Sequence, residues 1–142
     1  MELPYSPTCR KYNLSRRAEE YLELIHIMLK NGEKPRIREI ARRLGVKPSS
    51  VVEYLRRLEG KGYIVYEKGG NIYLTKKGLK YAESIYERHK ILTRFLELLG
   101  VPHDIAEEDA CYIEHGIHDI TLEKIIRFIK KCGNFLDEIN RK

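Results

Sequence analysis

Cys111, Glu114 and His115 are the residues of this 142-residue chain whose types and spacing point most directly to metal chemistry. They stand at i, i+3 and i+4 in a stretch with helical patterning, so all three are expected to project from one face of a helix. A thiolate, a carboxylate and an imidazole on one turn can chelate a divalent ion without rearranging a loop. The same spacing also fits a polar helix face with an incidental buried cysteine, so both interpretations stand at this point.

The elements that must position this group are predicted to be helical. Asp104 is expected to cap the helix that carries it, with Glu107 completing a capping box and Gly116 ending the helix. Thr121 is expected to cap the last helix, which should end near residues 132–133. Two amphipathic helices and a tail are too few to bury their own apolar faces, so a homodimer interface is predicted there.

Two earlier helices carry further residues that metals use. A long helix is predicted from about Leu79 to Leu99, with His89 on its apolar side, where a histidine is more often a core residue than a ligand. Another is predicted over residues 16–30, capped by Ser15. Glu20 and Glu23 lie at i, i+3 on it, and their types alone class them as solvated surface.

Residues 37–74 predict a DNA-binding element. An apolar stripe at helical period over residues 37–44 ends at Gly45, and Pro48 suits the first position of a second helix. Two apolar-aromatic runs around Gly69 and Gly70 then predict a β-hairpin. Helix, turn, helix and hairpin in this order predict a winged helix-turn-helix; the alternative is a helical hairpin packed on a ribbon. The residues predicted to face DNA are Lys47, Ser49, Ser50, Val52, Glu53, Arg56, Arg57, Lys68 and Lys76.

Composition supports this division of the chain. Residues 1–80 hold 18 lysines and arginines against 9 aspartates and glutamates, whereas residues 81–142 hold 9 against 12. The basic half suits a polyanion such as DNA, and the acidic half suits cations or protein. No apolar run reaches the ~20 residues of a membrane span. The three widely spaced cysteines, Cys9, Cys111 and Cys132, favour a reducing cytoplasm. Apart from the Cys/Glu/His group, the sequence shows no set of residues typical of a catalytic site, so we expect neither an enzyme nor an organic substrate.

The expected fold is therefore mainly α, with a winged helix-turn-helix DNA-binding domain over residues 1–78 and a helical metal-binding and dimerisation domain over residues 79–142. The first fourteen residues are expected to form an extended arm ahead of the first helix.

In this order, the motifs of the chain resemble the diphtheria toxin repressor family of metal-dependent transcriptional regulators, which includes the manganese transport regulators. The resemblance covers about residues 15–133. The motifs that carry it are Glu20-Tyr21-Leu22-Glu23, Val46-Lys47-Pro48-Ser49-Ser50-Val51, Leu74-Thr75-x-x-Gly78, Arg88-His89 and Cys111-x-x-Glu114-His115.

The resemblance implies a homodimer that binds a palindromic operator when loaded with Fe²⁺ or Mn²⁺ and represses metal-uptake genes. Zn²⁺ would be a non-physiological substitute. The metal would bridge the DNA-binding and dimerisation domains. The alternative is a winged-helix regulator that senses an organic ligand or a protein partner, with a purely structural Cys/Glu/His cluster. The implied ligands are Glu20, Glu23, His89, Cys111, Glu114 and His115.

Several positions depart from one branch of the family or the other. Cys111 matches the iron-responsive branch, whereas Glu20 and Glu23 resemble the paired acids of the manganese branch. Thr93 and Glu107 stand where the iron branch has a glutamate and a histidine of its ancillary site. Because the sequence ends at Lys142, we expect no counterpart of the iron branch's SH3-like domain. We therefore expect a manganese-type architecture and activation by both ions, leaning slightly to Fe²⁺ because of Cys111.

Overall fold

The computed structural model describes residues 14–141, without the side chains of residues 133–140, and divides into two compact units. One unit spans Leu14–Glu83 and the other is described from Ser84 onward, so the boundary falls within the fourth helix. Residues 1–13 of the expected arm lie outside the described part of the chain. The elements are α1 (Arg16–Lys30), α2 (Ile37–Leu44), α3 (Pro48–Gly60), β1 (Ile64–Tyr66), β2 (Ile72–Leu74), α4 (Lys76–Leu98), α5 (His103–Ile113) and α6 (Asp119–Arg141).

The ends of the N-terminal helices follow the predicted local signals. Ser15 caps α1, because its Oγ accepts a hydrogen bond from the Ala18 N–H at 3.1 Å. Gly45 ends α2 with a φ of 65°, a left-handed conformation that a residue with a Cβ rarely adopts. Pro48 occupies the first turn of α3, where its missing N–H leaves no helical hydrogen bond unmade.

The core of the N-terminal unit joins the first three helices and the hairpin. Fully buried side chains come from α1, α2 and α3, and each such burial stabilises the fold by about 1.5–3 kcal/mol. Strands β1 and β2 pair antiparallel, with Ile64 opposite Leu74 and Tyr66 opposite Ile72. The predicted winged helix-turn-helix is confirmed. The buried side chains are Tyr21, Leu22, Ile25, Met28, Ile40, Val51, Leu55, Leu58, Tyr63, Ile64 and Ile72.

The start of α4 is fixed against the beginning of the wing. The Thr75 N–H donates to the Tyr63 carbonyl at 3.1 Å, and the Thr75 hydroxyl donates to the Gly62 carbonyl at 2.6 Å. The Gly78 N–H donates to Thr75 Oγ1 at 3.0 Å. A Cβ at Gly78 would lie 1.9 Å from the Tyr63 carbonyl oxygen, so this approach requires glycine.

The C-terminal unit packs around an aliphatic cluster. The cluster contains Leu92, Ala110, Ile117, Leu122 and Ile126. None of the described helices is both long and apolar enough to cross a membrane.

The predicted N-caps of the C-terminal helices are wrong, both Asp104 with its Glu107 capping box and Thr121. Helix α5 begins at His103, with Pro102 before it and no side-chain cap, so Asp104 lies in the first turn. A carboxylate there still complements the helix dipole. Helix α6 begins at Asp119, so Thr121 lies inside it, and the helix continues past Gly133 to Arg141. The end of α5 is also earlier than expected, at Ile113 rather than Gly116.

Candidate metal centre and DNA-binding surface

Glu114 lies between two imidazoles in the C-terminal unit. Its Oε2 lies 2.8 Å from His89 Nδ1, and its Oε1 lies 3.2 Å from His115 Nε2. His89 comes from α4, whereas Glu114 and His115 follow the last turn of α5. The side chains of Glu114 and His115 are 0% and 1% exposed, and that of His89 is 21% exposed. The fold therefore brings one carboxylate and two imidazoles together from positions 25 residues apart, and these groups could ligate a metal.

The backbone at this turn is held by a buried arginine. Arg88 Nη1 donates to the Glu114 carbonyl oxygen at 2.8 Å, and Arg88 is only 2% exposed. Arg88 thus fixes the turn from which Glu114 projects. His89, the next residue of α4, contacts the Glu114 carboxylate. Arg88 entered the sequence reasoning only as part of a motif, because a long-range contact to a backbone carbonyl leaves no periodic signal.

The electrostatics of Glu114 suit a cation. Burial alone would raise the pKa of its carboxyl, but hydrogen bonds with His115 and His89 outweigh burial and hold that pKa below its ordinary value. A buried carboxylate is costly unless it is paired. A carboxylate flanked by two imidazoles is a donor set that Mn²⁺, Fe²⁺ and Zn²⁺ all accept, so the residues present fit a divalent ion.

Cys111 lies in the last turn of α5, three residues before Glu114, and is exposed. Cys111, Glu114 and His115 were predicted to share one helix face. The side chains of Glu114 and His115 are almost fully buried, whereas Cys111 is exposed. The physical reason is that α5 ends at Ile113 and Glu114 takes the C-cap position. A metal-ligand role for Cys111 stays a prediction.

Glu20 and Glu23 lie on α1 in the N-terminal unit, both half-buried. Glu20 Oε2 accepts a hydrogen bond from Arg17 Nη1 at 3.0 Å, and Glu20 Oε1 lies 3.8 Å from Arg16 Nε. These exposed pairs contribute little to stability, so binding a metal would displace them at small cost. Metal-ligand roles for both acids stay predictions.

Glu19, the residue before Glu20 on α1, is only 5% exposed, although glutamate is ordinarily a surface residue. Its Oε1 accepts a hydrogen bond from the Tyr81 hydroxyl at 2.7 Å. One signal was present in the sequence: Glu19 lies three residues before Leu22, at the edge of the apolar stripe of α1.

The second helix of the helix-turn-helix presents a polar surface. Ser49, Glu53, Arg56 and Arg57 are exposed, with Ser50 and Val52 half-buried beside them. Lys47 is exposed just before α3, while Lys68 and Lys76 are exposed in the wing turn and at the start of α4.

The two arginines of α3 are pre-positioned by neighbours. Arg57 Nη2 donates to Glu53 Oε1 at 2.6 Å, and the Arg56 guanidinium lies 4.5 Å from the centre of the Tyr66 ring. Stacking on Tyr66 restricts the Arg56 side chain, and Arg56 Nη1 also donates to Glu59 Oε1 at 3.2 Å.

Comparison with known proteins matches both units. Residues 13–72 match the family described as iron dependent repressor, N-terminal DNA binding domain. Residues 75–134 match iron dependent repressor, metal binding and dimerisation domain. An uncharacterised HTH-type transcriptional regulator of Methanocaldococcus jannaschii is 38% identical over 120 residues, which cover 83% of this chain and 96% of that protein. The regulator MntR of Lysinibacillus sphaericus is 33% identical over 112 residues, covering 79% and 81%.

Solved structures give the same result. The manganese regulator SloR superposes with a TM-score of 0.68 at 29% identity, covering 80% of this chain and 53% of SloR, so the chain matches about half of that protein. A hypothetical protein of Sulfolobus solfataricus superposes with a TM-score of 0.67 at 27% identity, covering 83% and 91%. The chain belongs to the iron-dependent repressor family, the diphtheria toxin repressor and manganese transport regulator family of metal-dependent transcriptional regulators.

Proposed function

We propose that this chain is an Fe²⁺- or Mn²⁺-activated repressor of metal-uptake genes that acts in the cytoplasm as a homodimer on a palindromic operator. The observation that carries the proposal is the buried Glu114 carboxylate, with His89 Nδ1 at 2.8 Å and His115 Nε2 at 3.2 Å. The lowered pKa of Glu114 already favours its ionised carboxylate, and a divalent ion bound there would supply the matching positive charge.

The proposed ligand set has two parts. His89, Glu114 and His115, with Cys111, come from the C-terminal unit, and Glu20 and Glu23 come from α1. An ion that takes ligands from both units favours the conformers in which the two recognition helices of a dimer match two half-sites. By linkage, operator DNA must then strengthen metal binding by the same factor.

The proposed DNA contacts divide by type. Arg56 and Arg57 with Ser49, Ser50, Val52 and Glu53 would approach base edges in the major groove, because they lie on the exposed side of α3. Lys47, Lys68 and Lys76 would contact phosphates, which position the protein without reading sequence.

Exposed apolar side chains support the dimer. Helices α5 and α6 and the adjoining residues leave large hydrophobic groups in contact with solvent, and such groups are typical of a surface covered by a second copy. Tyr112 and Ile120 are 63% and 58% exposed. The others are Leu99, Ile105, Ile113 and Phe128.

The test is metal-dependent DNA binding under anaerobic conditions. Duplexes selected from a random library by the Mn²⁺-loaded protein are labelled, and their affinity is measured by anisotropy with Mn²⁺, Fe²⁺, Zn²⁺ and no metal. We expect metal to raise affinity by a factor within the usual allosteric range, about 5–150-fold. Glu114→Ala should abolish the increase, whereas His118→Gln, an exposed histidine of the same unit, should retain it. Equal affinity with and without metal would favour the organic-ligand alternative.

A further inference from the structure

A buried carboxylate–phenol pair joins α1 to α4 inside the N-terminal unit. The Tyr81 hydroxyl donates to Glu19 Oε1 at 2.7 Å, and the two residues are 4% and 5% exposed. Breaking a hydrogen bond between two buried polar groups costs more than breaking one at the surface. The bond therefore restricts how far α1 can slide or rotate relative to the start of α4.

The Tyr81 ring continues this connection to the wing. It packs edge-on against Tyr63, with ring centroids 5.4 Å apart and planes at 74°. Tyr63 is itself held on both sides, because its N–H donates to the Leu58 carbonyl at 3.0 Å and its carbonyl accepts from the Thr75 N–H at 3.1 Å. Tyr63 thus lies where the recognition helix ends, the wing begins and α4 starts.

Glu19 also lies beside the two acids of α1 that we propose as metal ligands. Glu20 is its neighbour in sequence, and Glu23 is four residues on, so the three carboxylates share one short segment of helix. One carboxylate is committed to Tyr81 and is buried, whereas the other two are half-buried. The pair thus sets the position of the helix segment from which Glu20 and Glu23 project.

We propose that Glu19 and Tyr81 are positioning residues for the metal response. They hold α1 in register with α4, Tyr63 and the end of α3, so that a constraint imposed on Glu20 and Glu23 reaches the DNA-reading surface. This inference rests on the proposed function, since it concerns how metal binding acts on DNA affinity. Neither residue touches metal or DNA in this scheme.

The test measures the coupling factor, the ratio of DNA affinity with saturating Mn²⁺ to DNA affinity without metal. Tyr81→Phe removes only the hydroxyl, whereas Glu19→Ala removes the accepting carboxylate together with the methylene that carries it. Each should lower the coupling factor at least fivefold, and the double variant should fall no further, because both remove one bond. Glu19→Gln should keep a factor near that of the wild type, since its amide oxygen can accept the same hydrogen bond.

Matched readouts separate positioning from loss of fold. Tyr86→Phe, the same substitution at a half-buried tyrosine of α4, should leave the coupling factor unchanged. The metal-free Tm and metal-free DNA affinity report the fold and the DNA-binding surface by themselves, and they should change little in Glu19→Gln. A coupling factor within twofold of the wild type in both Tyr81→Phe and Glu19→Ala would overturn the inference while leaving the proposed function intact. A wild-type protein without metal-stimulated binding would overturn both.

Discussion

Gly78→Ala tests the closest backbone approach in the N-terminal unit. The added Cβ would lie 1.9 Å from the Tyr63 carbonyl oxygen and 2.9 Å from its carbonyl carbon, whereas ordinary contact begins near 3.4 Å. The atoms it meets are backbone, so no side chain can rotate away. The first turn of α4 and the start of the wing must separate by about 1.5 Å, the difference between 1.9 Å and 3.4 Å.

The magnitude follows from two opposing effects. Alanine in a helix ordinarily stabilises by about 0.5–1 kcal/mol relative to glycine. Overpacking a well-filled contact costs about 1–3 kcal/mol. The same separation weakens the Thr75 N–H to Tyr63 hydrogen bond, which contributes about 1 kcal/mol. We therefore expect a net destabilisation of about 1–3 kcal/mol, and at the midpoint a drop in Tm of roughly 10 °C for a unit of this size.

The assay is thermal unfolding of the metal-free protein followed by circular dichroism, with Gly60→Ala as the matched control. Gly60 is also helical, at the end of α3, and a Cβ there would meet nothing within 4 Å. Gly60→Ala should leave Tm unchanged or raise it slightly. A Gly78→Ala protein whose Tm equals or exceeds that of Gly60→Ala would refute the close contact between Gly78 and Tyr63.

Three further predictions concern the metal, the DNA and pH. Cys111→Glu should shift activation towards Mn²⁺ while keeping a working repressor, because a thiolate favours softer ions than a carboxylate does; identical activation of both proteins by Mn²⁺, Fe²⁺ and Zn²⁺ would show that Cys111 is not a ligand. Lys68→Ala should weaken binding equally on all duplexes and reduce the salt slope by about one unit; a change in base preference would place Lys68 at a base edge. The Glu97 hydrogen bond, and then Glu107, raise the pKa of His103 above its ordinary value. The resulting stabilisation should be complete below the ordinary histidine pKa of 6.5 and lost as pH rises through the raised value. The Tm difference between wild type and His103→Gln should therefore be present at pH 5.5 and absent at pH 8.5, and an equal difference at both would contradict the assignment.

The N-terminal elements could be predicted almost to the residue because their boundaries depend on local backbone chemistry. Gly45 ends α2 and Pro48 begins α3, as their conformational preferences require. The C-terminal helix boundaries could not be predicted as closely. Aspartate is favoured both at the N-cap and in the first turn of a helix, and Asp104 lies in the first turn. Gly133 was expected to end α6, but its helical cost of about 1 kcal/mol is small enough for the flanking residues to override.

The candidate site was only partly predictable for a different reason. Glu114 and His115 were identified by their spacing, and their side chains are in contact in the structure. The contact between Glu114 and His89 depends on the turn between α4 and α5, where Gly100 has a φ of 98°, and helical period does not report a tertiary pairing over 25 residues. His89 was named as a metal ligand only through the family resemblance, and the structure places its ring beside the Glu114 carboxylate.

Helix α1 carries Glu20 and Glu23 and also packs against the recognition helix. Besides the Glu19–Tyr81 bond, α1 contacts the recognition helix through Tyr21, whose ring stacks on Tyr54 with centroids 4.7 Å apart and planes at 15°. Tyr54 in turn lies 5.5 Å from the Arg57 guanidinium on the proposed DNA-reading surface. Glu20 precedes Tyr21 directly, so a shift of the backbone at Glu20 moves a ring packed against α3. Packing this close does not deform continuously, and α1 should therefore move together with the recognition helix rather than independently of it.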